Sequence, residues 1–174
     1  FRKCTYRQLG KIESDDVIAA AKWLSKQPNV DAANIGIWGW SFGGFMSSLC
    51  IMKGSDIFST AISIAPVTNW RYYDSIYTER YMRTPEENES GYDNNSPMNY
   101  VDQLKGNLLL CHGTADDNVH VQNTYELAER LVQANKQFDM AIYTNRNHSI
   151  FGGKTSLQLY TKFVKYLKDH MQKR

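Results

Sequence analysis

A serine flanked by glycines is the first candidate for a reactive side chain. Ser41 lies in the run Gly39-Trp40-Ser41-Phe42-Gly43, which matches the pattern G-x-S-x-G and ends a short apolar segment. The pattern is typical of a nucleophile on a sharp strand-to-helix turn, where the neighbouring positions must lack side chains. Three fixed positions arise by chance in roughly one chain in twenty, and a glycine-rich turn with an incidental serine has the same letters. Whether Ser41 is a nucleophile therefore depends on the secondary-structure elements and side chains around it.

A serine hydroxyl needs a base to become a nucleophile, and the base needs a carboxylate to stabilise its charged form. His148 is the preferred base because it lies in a loop after the last predicted strand. The other histidines lie at a strand end, at a helix start and in the charged tail: His112, His120 and His170. The candidate acids, Asp116 and Asp117, are adjacent, and their spacing cannot separate them. The chain order Ser, Asp, His is that of α/β-hydrolases.

Apolar runs and helical periodicity predict the elements that would position these groups. Four strands are expected at 35–40, 60–65, 107–111 and 138–143. Helices are expected at about 13–26, 45–53 and 121–135, with a last one after Gly153. The alternation indicates a single α/β domain with a parallel sheet. Because functional groups gather at the carboxyl ends of such strands, the serine, the aspartate pair and the histidine should meet there.

Two helices carry more detailed expectations. Ser14 is the expected amino-terminal cap of the first helix. The last helix should turn four apolar residues inward and three lysines outward: Tyr160, Phe163, Val164 and Leu167, against Lys162, Lys165 and Lys168. Between the second and third strands, the aromatic-rich interval predicts a partly helical excursion rather than a disordered linker.

Composition excludes several classes of function. The 20 basic residues are scattered among 18 acidic ones, which gives a net charge of +2 and argues against a nucleic-acid partner. The three cysteines, Cys4, Cys50 and Cys111, have no C-x-x-C spacing, so neither a disulfide scaffold nor a metal site is expected, and no cofactor is implied. Cys50 and Cys111 fit small buried residues better than reactive thiols. No apolar run reaches transmembrane length.

The residues next to Ser41 suggest how a substrate would be held. The backbone N–H of Phe42 is the natural first donor of an oxyanion hole, whereas a second donor should come from an earlier strand-to-helix loop, and this chain has no earlier strand. The aromatic side chains of the long interval fit either a core at helical spacing or the wall of an apolar pocket: Trp70, Tyr73, Tyr77 and Tyr81.

Three longer runs make the case more specific. Residues 39–44, 72–82 and 112–120 resemble the catalytic domain of the prolyl oligopeptidase family of serine peptidases. The resemblance implies a triad of Ser41, Asp116 and His148, which favours Asp116 over Asp117. It also implies that Asn118 holds a substrate carbonyl and that four residues form a proline pocket: Val67, Trp70, Tyr73 and Tyr77. Two positions depart from the family: Phe42 stands where Tyr is usual, and Ser149 where Gly is common.

The same resemblance implies a reaction and partners. The expected substrate is a peptide with a penultimate Pro or Ala, from which an N-terminal dipeptide is released through an acyl-enzyme. Residues 1–174 would form the C-terminal part of a hydrolase domain, with four of the usual eight strands. An upstream β-propeller and a homodimer are implied for the full-length protein, and the 174-residue segment is expected to have little or no activity by itself.

Other readings of the sequence stay open. They are a related tripeptidyl or acylaminoacyl peptidase, an esterase, and a non-catalytic fragment used for binding. The sequons at Asn88 and Asn147 bear on location, because a glycan on Asn147 would crowd His148. Because the resemblance implies a periplasmic, surface-attached or extracellular peptidase, a bacterial periplasm or cell envelope is the expected location, and an extracellular or membrane-anchored ectodomain is the alternative.

Overall fold

The computed structural model describes residues 3–171 as one α/β layered fold. The strands are β1 (Ile35–Trp40), β2 (Phe58–Ile64), β3 (Asn107–Gly113) and β4 (Asp139–Tyr143). The helices are α1 (Lys11–Leu24), α2 (Phe42–Lys53), α3 (Ser75–Met82), α4 (Glu89–Asn94), α5 (Gln122–Gln133) and α6 (Thr155–Met171). Short 3₁₀ turns occupy Trp70–Tyr72, Pro97–Asn99 and Val101–Gln103.

The four strands form one parallel sheet in the order β1-β2-β3-β4. The predicted strands and the α/β class are therefore confirmed, with boundaries that differ by one or two residues. Since all strands run the same way, their carboxyl ends lie along one edge of the sheet. The loops that begin after Trp40, Gly113 and Tyr143 leave from that edge.

Alternate residues of the strands face two separate hydrophobic cores. On one face, Leu108 and Leu110 of β3 pack with side chains of α1, α2, α5 and the long excursion. On the other face, Leu109 and Cys111 pack against α6. Burial on both faces is the reason that the central strands, β2 and β3, have nearly continuous apolar sequences rather than alternating ones.

Strand β1, which leads to Ser41, lies at one end of the described sheet. It pairs with β2 from Ile35 to Trp40, and Ile35 is its one buried residue. The indole of Trp38 is 61% exposed. Strand β1 is therefore an exposed edge of the described sheet.

Helix α1 begins earlier than its sequence signals suggest. The helix starts at Lys11 after Gly10, whose N–H donates to the Glu13 carboxylate at 3.0 Å. Ser14, the expected cap, instead lies fully buried inside the first turns and accepts a hydrogen bond from Lys53 at 2.7 Å. The cap prediction was wrong because Gly10, with φ of 106°, makes the left-handed turn into the helix.

The inward face of α6 was also predicted one position out of phase. Leu159, Phe163 and Tyr166 are buried, whereas Tyr160 and Val164 are 52% and 53% exposed. Spacings of three and four residues fit both the buried and the predicted set. Contact with the side chains of β2 and β3 determines that Leu159, Phe163 and Tyr166 face inward. Of the expected inward residues, Phe163 is buried and Leu167 packs at its margin.

The excursion between β2 and β3 is ordered and largely buried, as expected of its aromatic content. Trp70, Met82 and Tyr92 are almost completely buried in the larger core. Asn88 fastens the excursion to the amino-terminal loop, since its amide donates to the backbone carbonyls of Arg7 and Met82, each at 2.9 Å. The excursion therefore forms a rigid wall beside the carboxyl edge of the sheet.

Candidate active site

Ser41 occupies a sharp turn between β1 and α2. Its backbone has φ of 60° and ψ of −117°, a conformation that side chains rarely adopt. The turn is fastened on both sides, because the Ser41 N–H donates to Ile64 O at 2.8 Å and its carbonyl accepts from Phe45 N–H at 2.9 Å. The hydroxyl is thus presented at the carboxyl end of the sheet by a strained and fixed backbone.

Only one of the two glycines that the motif names is required by this turn. A Cβ on Gly39 would lie 2.7 Å from Gly43 Cα and closer still to its carbonyl group, and one on Gly44 would lie 2.5 Å from Ile64 O. A Cβ on Gly43 would meet nothing within 4 Å. The expectation that both motif glycines must lack side chains is therefore wrong for Gly43, and Gly44 takes its place because α2 packs directly on the end of β2.

The structure brings Asp116 and His148 together. Asp116 Oδ2 lies 2.8 Å from His148 Nδ1, and Oδ1 accepts from the N–H groups of Asn118 at 3.0 Å and Val119 at 2.9 Å. Asp116 is 3% exposed, whereas Asp117 is exposed to solvent. The geometry therefore separates the two aspartates, as the spacing in the sequence could not.

The Asp116 carboxylate is held in its ionised form. Burial by itself raises its pKa, but donors from His112, His148 and Val119 more than offset this effect and hold the pKa well below its usual range. An ionised acceptor requires the proton on Nδ1 of His148, which leaves Nε2 of a neutral ring unprotonated. His148 is thus arranged as a base.

A tryptophan that the sequence reasoning did not single out joins this base to the turn. Trp40 Nε1–H donates to the backbone carbonyl of His148 at 2.8 Å. Because Trp40 directly precedes Ser41, the loop carrying the imidazole is pinned beside the hydroxyl. No hydrogen bond joins the Ser41 and His148 side chains within the described residues, a separation common in enzymes without substrate. In the sequence, the one sign of this Trp40–His148 contact is the indole side chain directly before Ser41.

A small cavity lined mainly by aromatic residues opens beside the serine. Its volume is about 140 Å³, and it is lined by Ser41, Phe42, Val67, Trp70, Tyr73 and Tyr77. Trp70 and Tyr77 stack with ring centroids 5.9 Å apart, and Tyr73 meets each of them edge-on at 6.0 and 5.2 Å. A cavity of roughly 150 Å³ holds one benzene molecule, so this one accepts a single small ring. The predicted pocket residues therefore lie together around one cavity.

Asn118 is exposed at the rim of this cavity, and a tyrosine orients its amide. The hydroxyl of Tyr73 donates to Asn118 Oδ1 at 2.7 Å. Burial, together with the negative charges of Asp74 and Asp116, raises the pKa of Tyr73, so the hydroxyl keeps its proton. Since the oxygen is occupied, the Asn118 NH₂ group is left to donate to a ligand.

Phe42 begins α2, and its ring packs against Phe45 and Trp70. The first N–H groups of a helix have no acceptor within the helix. The Phe42 N–H is therefore available beside the Ser41 hydroxyl for a developing negative charge.

Other sequence expectations concern thiols, metals and membranes. Cys50 and Cys111 are buried, as predicted, and Cys4 is exposed. Within residues 3–171, no three His, Cys, Asp or Glu side chains are grouped closely enough to hold a metal ion. No helix in that range is long and apolar enough to cross a membrane.

Comparison with known proteins shows the family of the chain. Residues 1–174 match the Prolyl oligopeptidase family. Dipeptidyl peptidase 4 of Felis catus is 42% identical over 166 residues, covering 94% of this chain and 22% of that protein. Prolyl endopeptidase FAP of Mus musculus is 40% identical over 172 residues, covering 97% of this chain and 23% of that protein.

A solved structure is similar in both fold and sequence. The crystal structure of Porphyromonas gingivalis dipeptidyl peptidase 4 has a TM-score of 0.95 and 57% identity, covering 97% of this chain and 24% of that chain. The chain thus spans about a quarter or less of the length of these relatives. Because the family match extends over the whole sequence, the chain belongs to the prolyl oligopeptidase family.

Proposed function

We propose that this chain supplies the nucleophile, acid and base of a serine peptidase that releases N-terminal X-Pro or X-Ala dipeptides. The observation that carries the proposal is the Asp116–His148 pair, joined at 2.8 Å beside the strained Ser41 turn and a one-ring aromatic cavity. The dipeptidyl peptidases among its relatives support the substrate class.

In the proposed reaction, His148 Nε2 takes the Ser41 hydroxyl proton while the oxygen attacks the carbonyl carbon of the substrate. The Phe42 N–H donates to the oxyanion that forms. The imidazolium, stabilised by Asp116, then gives its proton to the leaving amine, and an acyl-enzyme remains on Ser41. Water, activated by the same ring, completes hydrolysis.

The cavity accounts for the proposed preference at the second substrate residue. A proline ring fills a space of about 140 Å³ lined by aromatic faces, and an alanine methyl enters it without a clash. Larger side chains are excluded because Val67 and Trp70 are almost fully buried and packed in place. The free NH₂ group of Asn118 is placed to donate to a backbone carbonyl of the substrate.

The direct test uses the complete natural protein that contains this sequence, with a free-amino Gly-Pro-p-nitroanilide substrate. Replacing Ser41 by Ala should lower kcat on the order of 10⁶-fold, as loss of a nucleophile does in other triads. Ser90→Ala, an exposed serine on α4, is the matched control and should keep the wild-type rate. Release of dipeptides by Ser41→Ala at the wild-type rate would refute the proposal.

The second candidate is an endopeptidase, because one relative is named a prolyl endopeptidase. An N-acetylated Gly-Pro substrate separates the two activities, since an endopeptidase cleaves a blocked peptide and a dipeptidyl peptidase needs the free amine. The same substrate panel, extended with blocked single residues, tripeptides and simple esters, tests for acylaminoacyl and tripeptidyl peptidases and for esterases.

We further propose that the 174-residue chain by itself has little activity, because the Phe42 N–H is the single oxyanion donor assigned within it. Reaction with a fluorophosphonate at a rate equal to that of the complete protein would contradict this. A non-catalytic binding role is favoured if the complete protein also fails to react with the fluorophosphonate.

Assembly and location are proposals too. We propose a homodimer with an upstream β-propeller, which light scattering and the upstream sequence would test. A bacterial periplasm or cell envelope is proposed because a glycan would fit at neither N-glycosylation sequon. The Asn88 side chain is buried and its amide donates two hydrogen bonds, and Asn147 is adjacent to His148. Recovery of the protein in the cytoplasmic fraction of fractionated cells would overturn this location.

A further inference from the structure

A second histidine contacts the proposed catalytic carboxylate. His112, at the end of β3, has no solvent exposure, and its Nε2 lies 3.2 Å from Asp116 Oδ2. The same oxygen accepts from His148 Nδ1 at 2.8 Å. One carboxylate oxygen therefore lies between two imidazole rings, of which one faces solvent and the other is sealed in the core.

The hydrogen-bond partners of His112 define where its proton lies. Nε2 is 2.8 Å from the backbone carbonyl of Val119, which can only accept, so Nε2 carries the hydrogen. Nδ1 is 2.7 Å from the Thr124 hydroxyl, which can donate to it. Both ring nitrogens have a hydrogen-bond partner in the neutral tautomer. The Nε2–H group lies close to both the Val119 carbonyl and the Asp116 carboxylate.

Val119 completes a closed arrangement around the acid. Its N–H donates to Asp116 Oδ1 at 2.9 Å, while its carbonyl accepts from His112. The ring thus holds the loop that holds the carboxylate, and it also contacts the carboxylate itself. Without the ring, the Val119 carbonyl would be buried without a donor and the loop around Asp116 would be free to shift.

We propose that His112 is a positioning residue of the triad, which fixes the Asp116 carboxylate in place and in its ionised form so that His148 keeps the tautomer and orientation of a base. This inference rests on the proposed function, in which Asp116 and His148 activate Ser41. His112 touches no substrate and acts through Asp116.

Two amide substitutions separate this role from simple packing. In His112→Gln the amide nitrogen reaches the position of Nε2 and still donates toward Val119 and Asp116. In His112→Asn the shorter side chain reaches only the position of Nδ1, next to Thr124. Both variants bury one amide, but only the Asn variant leaves the Val119 carbonyl without a donor, so the thermal unfolding midpoint records that structural cost separately from the rates.

The measurements use the complete natural protein. They are kcat and KM for Gly-Pro-p-nitroanilide, the second-order rate of reaction with a fluorophosphonate, and the thermal unfolding midpoint. In His112→Asn, kcat and the fluorophosphonate rate should fall about tenfold or more while KM changes less than about twofold. His112→Gln should stay within about threefold of wild type.

The outcomes are decisive in each direction. Equal losses in the Asn and Gln variants, or wild-type rates in both, would overturn the role of His112 while leaving the proposed function intact. If the wild-type protein reacts with the fluorophosphonate but does not cleave X-Pro substrates, the proposed substrate class fails and the probe rates still test His112. A wild-type protein inert to both reagents overturns both proposals.

A second pair covers the case in which the His112 variants do not fold. Thr124→Val removes the hydroxyl that donates to Nδ1, whereas Thr124→Ser keeps it. The Val variant should react with the fluorophosphonate about threefold or more slowly than the Ser variant. Equal rates for the two variants would overturn the inference.

Discussion

Alanine substitution should divide the three glycines around Ser41 into two classes. A methyl group on Gly44 would lie 2.5 Å from Ile64 O, and one on Gly39 would lie 2.7 Å from Gly43 Cα, where ordinary contact is 3.4–4 Å. The methyl group of Gly43→Ala would enter open space. The pattern G-x-S-x-G predicts instead that Gly39 and Gly43 matter equally.

The distances give the size of the effect. To relieve these short contacts, the backbone beside Ser41 must move by about 1 Å, and overpacking of this kind lowers the free energy of unfolding by about 1–3 kcal/mol. A displacement of about 1 Å at a reacting group lowers a rate roughly 10²-fold. Gly43→Ala should be neutral or stabilising by up to about 1 kcal/mol, because alanine favours the helix that begins at Phe42.

The assay combines denaturant unfolding with the rate of fluorophosphonate reaction in the complete protein. Gly39→Ala and Gly44→Ala should lose both stability and about two orders of magnitude in rate, and Gly43→Ala should lose neither. The reasoning is refuted if Gly43→Ala is as slow as Gly44→Ala, or if Gly44→Ala keeps the wild-type rate and stability.

Three further substitutions or treatments test other contacts. Trp40→Phe removes the indole N–H that donates to the His148 carbonyl and should lower kcat about two- to tenfold. Trp38→Phe, on the exposed strand β1, should leave kcat unchanged. Equal effects of the two substitutions would contradict a role of the Trp40 hydrogen bond in positioning His148. Tyr73→Phe removes the hydrogen bond to Asn118, so that the Asn118 amide can rotate, and it should raise KM for X-Pro substrates with little change in the fluorophosphonate rate. An unchanged KM would contradict a substrate-binding role for the Asn118 amide. Burial raises the pKa of Cys50 and of Cys111 to about 12, so both stay protonated at pH 8, and mass spectrometry should find iodoacetamide on neither until the protein is unfolded.

Much of the fold could be predicted from the sequence because its central strands, β2 and β3, are buried on both faces. Runs rich in apolar residues and bounded by turn residues predict all four strands, and the intervening helices predict their parallel order. The same order placed His148 in the loop after the last strand. The structure brings that ring to Asp116.

The remaining features depend on contacts that a linear pattern does not contain. Gly44 is required because Ile64 O lies beneath it, and β2 supplies that atom from another part of the chain. The phase of α6 is chosen by the β2 and β3 surface rather than by its own periodicity. The sequence indicates only that His112 lies at a strand end, because its contact with Asp116 depends on the loop that closes through Val119.

The position of β1 at the end of the sheet affects how the chain behaves in concentrated solution. A terminal strand presents backbone donors and acceptors to any extended segment that approaches it. The six residues of β1, Ile-Gly-Ile-Trp-Gly-Trp, contain neither a charge nor a proline to discourage such pairing, and the exposed Trp38 adds an apolar contact. Preparations of these 174 residues by themselves should therefore self-associate through β1, the strand that leads to Ser41.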